Sequence, residues 1–256
     1  MELNFRQMGK TGQPLLIMHG LFGTLDNWQT LGRQYAETHQ VYLIDLRNHG
    51  RSPHSDDLSY QLMSDDVAAF IKQHQIQNPV VLGHSMGGKV AMNLALQHPE
   101  LLEKLIVADI APKAYPPHHD EIIEGFRSID LATLENRQQA DEQLAQRVPD
   151  LGTRLFLLKN LYRKDDNSFG WRLNLDAIEK NLDNVLGNIE SDQPFTKPTL
   201  FIRGGNSRYI KPEKDMDQIQ SLFPNAKLHT IEGTGHWLHA EKPEEFYRIS
   251  MEFLQA

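Results

Sequence analysis

The sequence has no cysteine among its 256 residues. Disulfide bonds, thiol nucleophiles and cysteine-ligated metals are therefore excluded, and the composition is typical of a reducing compartment. No apolar run approaches the roughly eighteen residues that a transmembrane helix needs. The first residues, MELNFRQMGKTGQ, lack the basic and apolar segments of a signal peptide. We expect a cytoplasmic protein without a membrane span.

Positive charge is also scarce. The chain has 26 Lys and Arg against 34 Asp and Glu, which gives a formal charge of −8, and the basic residues are scattered. This balance argues against nucleic acid or an acidic membrane surface as the main partner. Hydrophobic residues make up 39% of the chain, which is typical of a soluble globular protein. The sequence carries no signal for an oligomeric state.

Short apolar runs alternate with longer amphipathic segments along most of the chain. Their near-continuous apolar character is typical of strands buried on both faces of a parallel sheet. Together with the helical patterns between them, they predict a mostly parallel α/β sheet flanked by helices. The segment LNFRQM near the N-terminus predicts a further edge strand. The apolar runs are 14–20, 41–46, 79–84, 104–110, 198–205 and 226–233.

Between residues 112 and 194 this alternation stops. The region shows no convincing strand, and its helical patterns are DEIIEGFRSI, LENRQQADEQLAQRV, LGTRLFLLKNLYR and NLDAIEKNLDNVLGNI. A segment this long exceeds an ordinary loop. We predict a helical cap of residues 112–194, inserted over the carboxyl edge of a core formed by 1–111 and 195–256.

The sequence GHSMG places Ser85 where a predicted strand meets a predicted helix. A sharp strand-to-helix turn exposes a nucleophile above the sheet edge while holding it rigidly. Side chains two residues away on either side would collide in such a turn, so glycine is favoured at positions 83 and 87. The N–H of Met86, at the helix start, is positioned to stabilise an oxyanion.

A serine nucleophile needs a base, and His236 is the candidate. It lies in the turn GTGHW after the last predicted strand, where its imidazole can reach the sheet edge. His239 is the competitor, which we expect to pack or cap a helix instead. Two histidines spaced in this way can also ligate a metal, but no third ligand is evident. No metal or other cofactor is predicted.

The third member of a triad, an acid, is less obvious. In the segment GGNSRY, the residues Asn206, Ser207 and Arg208 stand where an aspartate is expected, and none is acidic. Asp109 ends the apolar run KLIVAD, where a buried carboxylate requires a partner such as an imidazole. We therefore favour Asp109, although it could instead cap the turn that follows. Asp176, in the cap, is the more distant alternative.

Other edge loops supply the remaining candidates. In HGLFG, the N–H of Leu21 is the predicted second oxyanion donor, and that of Phe22 is the next choice. Phe22 and Trp171 are predicted to contact substrate, although most cap aromatic residues are expected to pack the cap itself. The polar loop 45–53 and His84 are interpreted as structural bracing.

The motifs HGLFG, DLRNHGRS, GHSMGG and GTGHW together resemble the α/β-hydrolase superfamily, over nearly the whole chain. The cap matches only weakly. More narrowly, the segments NHG, GHSMGGK, DIAP and GGNS are similar to those of small capped bacterial esterases of the YbfF type. This resemblance implies the α/β-hydrolase fold, esterase activity with acyl thioesters as further candidate substrates, and an acid that follows the sixth strand, which is Asp109 here.

These predictions combine into ester hydrolysis through an acyl-enzyme. Ser85 attacks the carbonyl, His236 transfers protons and Asp109 orients the imidazole. A fold does not fix a function, however. A carbon–carbon bond hydrolase or a cofactor-free haloperoxidase could use the same triad, and a ligand-binding receptor with a slow triad is an alternative of another class. Serine at this turn argues against dehalogenase or epoxide-hydrolase chemistry.

Overall fold

The computed structural model describes residues 1–117 and 119–256. Most of the predicted strands reappear close to their expected bounds, and the N-terminal edge strand is confirmed. In chain order the strands of the described residues are β1 (Phe5–Met8), β2 (Pro14–Met18), β3 (Gln40–Ile44), β4 (Val80–His84), β5 (Lys104–Ala108), β6 (Leu161–Arg163), β7 (Phe169–Trp171), β8 (Thr199–Gly204) and β9 (Ala226–Ile231).

Seven of these strands form one sheet in the order β1-β3-β2-β4-β5-β8-β9. Only β1 is antiparallel to its neighbour, with Phe5 opposite Ile44. The other pairs are parallel, so their carboxyl ends meet at one edge. The predicted α/β architecture, a mostly parallel sheet flanked by helices, is confirmed.

Helices account for the amphipathic segments. They are α1 (Gln29–Tyr35), α2 (Tyr60–Gln73), α3 (Met86–Gln97), α4 (Asp120–Ser128), α5 (Arg137–Leu144), α6 (Leu151–Leu157), α7 (Leu175–Lys180), α8 (Leu182–Leu186), α9 (Pro212–Leu222), α10 (Leu238–Glu241) and α11 (Pro243–Gln255). Short 3₁₀ helices lie between these elements at Leu25–Trp28, Pro99–Leu101 and Leu158–Asn160. Within residues 1–117 and 119–256, none of the helices combines the length and apolar character needed to cross a membrane.

The apolar runs are explained by burial on both sides of the sheet. Along β2, Leu16 packs against the cluster that includes α2, α3 and α9, while its neighbour Leu15 packs against α1 and α11. Successive side chains of a strand point to opposite faces. Both faces of β2 are therefore covered, and each position is apolar. Full burial of such a side chain contributes about 1.5–3 kcal/mol.

The region between β5 and β8 differs from the prediction in one respect. It contains a two-stranded antiparallel hairpin, β6 with β7, in which Tyr162 lies opposite Gly170. The expectation of no strand in 112–194 is therefore wrong for these residues. The helical pattern LGTRLFLLKNLYR ends as a helix at Leu157. Strands of three residues are too short for a periodic pattern to distinguish.

The two crossings by which the chain enters and leaves residues 112–194 lie side by side. The N–H of Ile189 donates to the carbonyl of Pro112 at 2.6 Å, and the N–H of Tyr115 donates to the carbonyl of Leu186 at 2.9 Å. We name this pair of hydrogen-bonded crossings the neck. It joins the outgoing chain, before α4 begins, to the returning chain at and just after the end of α8.

Candidate active site

Ser85 occupies a strained backbone position between β4 and α3. Its φ is 53° and its ψ is −119°, a region that non-glycine residues rarely adopt. The turn is held on both sides, because the N–H of Ser85 donates to the carbonyl of Ala108 at 2.9 Å and its own carbonyl accepts from the N–H of Lys89 at 3.1 Å. The side chain is half-buried at the carboxyl edge of the sheet.

Glycine is required on both sides of this turn. A Cβ at Gly83 would lie 2.1 Å from the carbonyl oxygen of Gly87, and a Cβ at Gly87 would lie 2.5 Å from the carbonyl oxygen of His19. Both contacts are with backbone atoms, which cannot rotate away. The close approach of the helix start to the strand explains the sequence spacing.

The structure brings three predicted side chains into one hydrogen-bonded row. Nε2 of His236 lies 2.9 Å from Oγ of Ser85, and Nδ1 of the same ring lies 2.8 Å from Oδ2 of Asp109. A carboxylate accepts, so Nδ1 carries the ring proton and the lone pair of Nε2 faces the serine hydroxyl. The Asp109 side chain is fully buried, whereas that of His236 is 19% exposed.

Two further groups hold the buried carboxylate. The N–H of Gly204 donates to Oδ1 of Asp109 at 3.0 Å, and the hydroxyl of Ser207 donates to Oδ2. Ser207 is one of the residues that stand where an aspartate was expected. The sequence indicated that no acid stands after β8. It did not indicate that the Ser207 hydroxyl would donate to Asp109, which follows the neighbouring strand β5. The available signal was a hydroxyl residue directly after β8.

Two contacts that the sequence did not indicate hold His236, one at its ring and one at its backbone carbonyl. Tyr209 stacks on it, with ring centroids 3.9 Å apart and planes inclined by 17°. Nε2 of His84 lies 2.8 Å from the His236 carbonyl oxygen. Burial and the nearby charges of His239 and His236 hold the pKa of His84 well below its usual value. His84 is therefore neutral, and a neutral ring can donate from Nε2.

Neither alternative for the triad lies in this row. His239 is buried and stacks on Trp28, with centroids 4.3 Å apart and planes inclined by 7°, and burial lowers its pKa to about 3. Asp176 is 82% exposed and pairs with Arg127. His239 is a packing residue, as expected, and Asp176 is a surface residue of α7.

The two predicted oxyanion donors flank the serine. Leu21 and Met86 both line the space beside Ser85. In the part of the chain that the structure describes, their N–H groups donate to no other backbone group. The Leu21 loop is fixed from the region between β5 and β8, because Nδ2 of Asn160 donates to the carbonyl of Phe22 at 2.7 Å. Phe22 itself has a φ of 60°.

A cavity of about 280 Å³ opens above the serine and the histidine. Its lining is mostly apolar and comes both from the loops at the sheet edge and from residues 112–194, including Phe22, Ile122, Phe156, Leu157, His236 and Trp237. Phe22 therefore lies where a substrate contact was predicted. Trp171 does not: it packs edge-on against Phe126, with centroids 4.9 Å apart, and faces a separate depression that includes His54.

The polar loop after β3 braces the sheet edge. Asp45 accepts from the N–H of Leu25 at 2.7 Å and from the N–H of Arg51 at 2.9 Å. Arg47 pairs with Asp66 at 2.6 Å. These buried polar groups bond to one another and not to Ser85. Among residues 1–117 and 119–256, no three His, Asp or Glu side chains cluster as metal ligands would.

Comparison with known proteins places these features in context. Residues 13–243 match a family described as the alpha/beta hydrolase fold. The chain is 39% identical to the sn-1-specific diacylglycerol lipase ABHD11 of Mus musculus, over 94% of this chain and 80% of that protein. It is 35% identical to Esterase YbfF of Escherichia coli, over 99% of each.

A solved structure is also similar. The chain superposes on one described as a marine microorganism esterase with a TM-score of 0.96 and 45% identity, covering 98% of this chain and 99% of that one. The matched length includes the region between β5 and β8.

Proposed function

The chain belongs to the α/β-hydrolase fold family, and from this we propose that it is a serine hydrolase that cleaves carboxylic esters through an acyl-enzyme. The observation that carries the proposal is the row from Ser85 through His236 to Asp109, with contacts of 2.9 Å and 2.8 Å. Each contact is a hydrogen bond of ordinary length. Relatives named as an esterase and a lipase agree with this chemistry.

The first half of the reaction forms the acyl-enzyme. His236 accepts the proton of the Ser85 hydroxyl as Oγ attacks the ester carbonyl, and the buried carboxylate of Asp109 stabilises the imidazolium that results. The N–H groups of Leu21 and Met86 stabilise the oxyanion. His236 then returns the proton to the leaving oxygen, or to the leaving sulfur if the substrate is a thioester.

Water completes the cycle. His236 deprotonates a water molecule that attacks the acyl carbon. The bond to Ser85 Oγ then breaks, His236 returns the proton to Oγ, and the acid is released. We further propose that residues 112–194 act as a cap over a core of 1–111 and 195–256. Cap side chains such as Ile122 and Phe156 line the same cavity as the serine, which supports this division.

The direct test is hydrolysis of p-nitrophenyl esters from acetate upward, alongside acyl-CoA thioesters. We expect turnover in the wild type and a loss of about 10⁴-fold or more in Ser85→Ala. Asp109→Asn should lose about 10⁴-fold, because it favours the wrong histidine tautomer, whereas Asp176→Asn should keep full activity. Labelling by a fluorophosphonate should require Ser85.

Matched controls separate chemistry from folding. Ser221→Ala removes an exposed hydroxyl that donates to the carbonyl of Gln218, a residue of the same helix, and it should react like the wild type. Equal losses in Asp176→Asn and Asp109→Asn would reject Asp109 as the acid. Absence of turnover and of labelling in the folded wild type would reject the esterase proposal altogether.

A further inference from the structure

A second, smaller cavity also borders Ser85, and we call it the chamber. It has a volume of about 30 Å³ and is enclosed by residues that include Tyr60, Met86, Lys89 and Tyr115. A cavity of 10–15 Å³ on this measure holds about one water molecule. The chamber therefore accommodates a group of a few heavy atoms directly beside Ser85.

Lys89 is an unusual residue to line such a chamber. Its side chain is buried, with only 1% of the residue exposed. The ammonium donates to the carbonyl of Lys113 at 2.7 Å and to the carbonyl of Gly187. It also lies 4.8 Å from the ring centre of Tyr115 and 5.4 Å from that of Tyr60. Carbonyl dipoles and ring faces therefore surround the charge.

No carboxylate balances this ammonium. Within the described ranges, the lysines that pair with Asp or Glu are Lys113, Lys197 and Lys242, and Lys89 is absent from such pairs. Buried charges are ordinarily paired, because removal from water is costly. Burial and the neighbouring Lys113 charge lower the pKa of Lys89 to about 7, a direction that an anionic ligand would reverse.

The hydroxyl groups of the two tyrosines do not neutralise the ammonium either. The hydroxyl of Tyr60 donates to the carbonyl of Val185 at 2.5 Å, and that of Tyr115 donates to the carbonyl of Tyr209 at 2.7 Å. Among the described residues that line the chamber, Lys89 is therefore a charged group surrounded by carbonyl dipoles and ring faces but not paired with a carboxylate. The chemical complement to it is an anion small enough for the chamber.

The position of His236 decides which part of an ester faces this chamber. His236 lines the larger cavity and not the smaller one. The leaving oxygen must lie near Nε2 of His236, since that nitrogen protonates it. The alcohol part of a substrate therefore occupies the larger, apolar cavity, and the acyl part extends into the chamber.

We propose that the chamber binds a short acyl group ending in a carboxylate, which pairs with the Lys89 ammonium. The substrate class is then the half-ester of a small dicarboxylic acid with an apolar alcohol. This inference rests on the proposed function. Hydrolysis would break the bond between acyl carbon and alcohol oxygen, and one water molecule would supply the second carboxyl oxygen and the alcohol proton.

The test compares monobutyl succinate with butyl isocaproate, which has the same shape but a neutral end. Binding to Ser85→Ala, measured by calorimetry, tests the chamber without requiring turnover. We expect the half-ester to bind about tenfold more tightly or better, as an added charge-assisted hydrogen bond would give. In Ser85→Ala/Lys89→Met this preference should disappear. Ser85→Ala/Lys113→Met, which removes a neighbouring lysine outside the chamber, should retain it.

Each result bears on the inference. Equal or weaker binding of the half-ester to Ser85→Ala overturns it, and so does a preference that survives Lys89→Met. If the Lys89→Met protein does not fold by circular dichroism, the comparison of ligands on Ser85→Ala alone decides. Hydrolysis of neither ester by the wild type, with the binding preference intact, would instead reject the proposed function and leave the anion site standing.

Discussion

Ser207 shows how a single hydroxyl contributes to the site without contacting the substrate. It donates to the buried carboxylate of Asp109, beside the His236 contact with the same oxygen. Removing the donor leaves that oxygen with one fewer partner in a site that water does not reach. Ser207 is therefore a positioning residue that acts through Asp109.

We expect Ser207→Ala to lower kcat by about 10- to 100-fold, because a hydrogen bond to a charged group contributes about 1.5–3 kcal/mol. KM should change little, since the hydroxyl lies behind the triad. Ser207→Thr, which keeps a hydroxyl, should restore most of the rate. Steady-state kinetics check this, with the exposed neighbour Asn206→Ala as control. An unchanged kcat in Ser207→Ala would show that the contact is dispensable.

At this scale the sequence predicted some residues and not others, for physical reasons. Ser85 and His236 lie in local motifs, so their placement follows from the turn that each motif dictates. Asp109 could be reached by elimination, since a carboxylate at the end of an apolar strand needs a partner. Tyr209 escaped prediction, and His84 was assigned a structural role without its partner, because their contacts with His236 are made between distant loops.

The turn between β4 and α3 is the element on which the proposed chemistry depends most. Gly83 leaves no room for a Cβ, whose nearest neighbour would be a backbone oxygen at 2.1 Å. Relief of this clash requires the helix to shift or the turn to open. Either movement displaces the serine beside it.

Gly83→Ala should therefore lower both stability and activity. We expect a loss of at least about 2 kcal/mol in the free energy of unfolding, as for other overpacked sites, and a large fall in kcat. Gly152→Ala is the matched control. Gly152 is exposed in α6, and its added Cβ would meet Oδ2 of Asp150 at 3.2 Å, a side-chain atom that needs to shift by only a few tenths of an ångström while keeping its contact with the Thr153 N–H. Alanine there should be neutral or slightly stabilising. Chemical denaturation of both variants checks this, and equal stability would contradict it.

Elements were predicted well where their pattern was long and poorly where it was short. The buried strands of the sheet carry unbroken apolar runs, which their coverage on both faces explains. The pattern NLDAIEKNLDNVLGNI gave one helix, but the chain divides it into α7 and α8 at Asn181. The hairpin of β6 and β7 was missed because three residues do not establish a period.

Buried histidines make the free energy of unfolding of the whole molecule depend on pH. Burial lowers the pKa of His19 to about 4, and that of His49 and His239 to about 3. In the unfolded chain these rings have a pKa of about 6.5. Below that value the unfolded state binds protons that the folded state does not. The free energy of unfolding therefore falls as the pH drops from about 6.5 towards 4.

His239→Phe should reduce this acid sensitivity while keeping a ring against Trp28. A single such group contributes a slope of up to about 1.4 kcal/mol per pH unit. We expect the difference in stability between pH 7 and pH 5 to be smaller in His239→Phe than in the wild type. His229→Phe, at an exposed position of β9, should match the wild type. Denaturant titrations at several pH values check this, and parallel profiles for all three proteins would contradict it.

The neck has a consequence for how this protein and its relatives can diversify. Because the two crossings are hydrogen-bonded to each other at Pro112 with Ile189 and at Tyr115 with Leu186, the inserted region begins and ends at nearly the same point. Lengthening, shortening or exchanging that region therefore leaves the spacing of β5 and β8 unchanged. Natural selection and protein engineering can each exchange the inserted region as a unit, and with it part of the cavity lining. The positions of Ser85, His236 and Asp109 need not change.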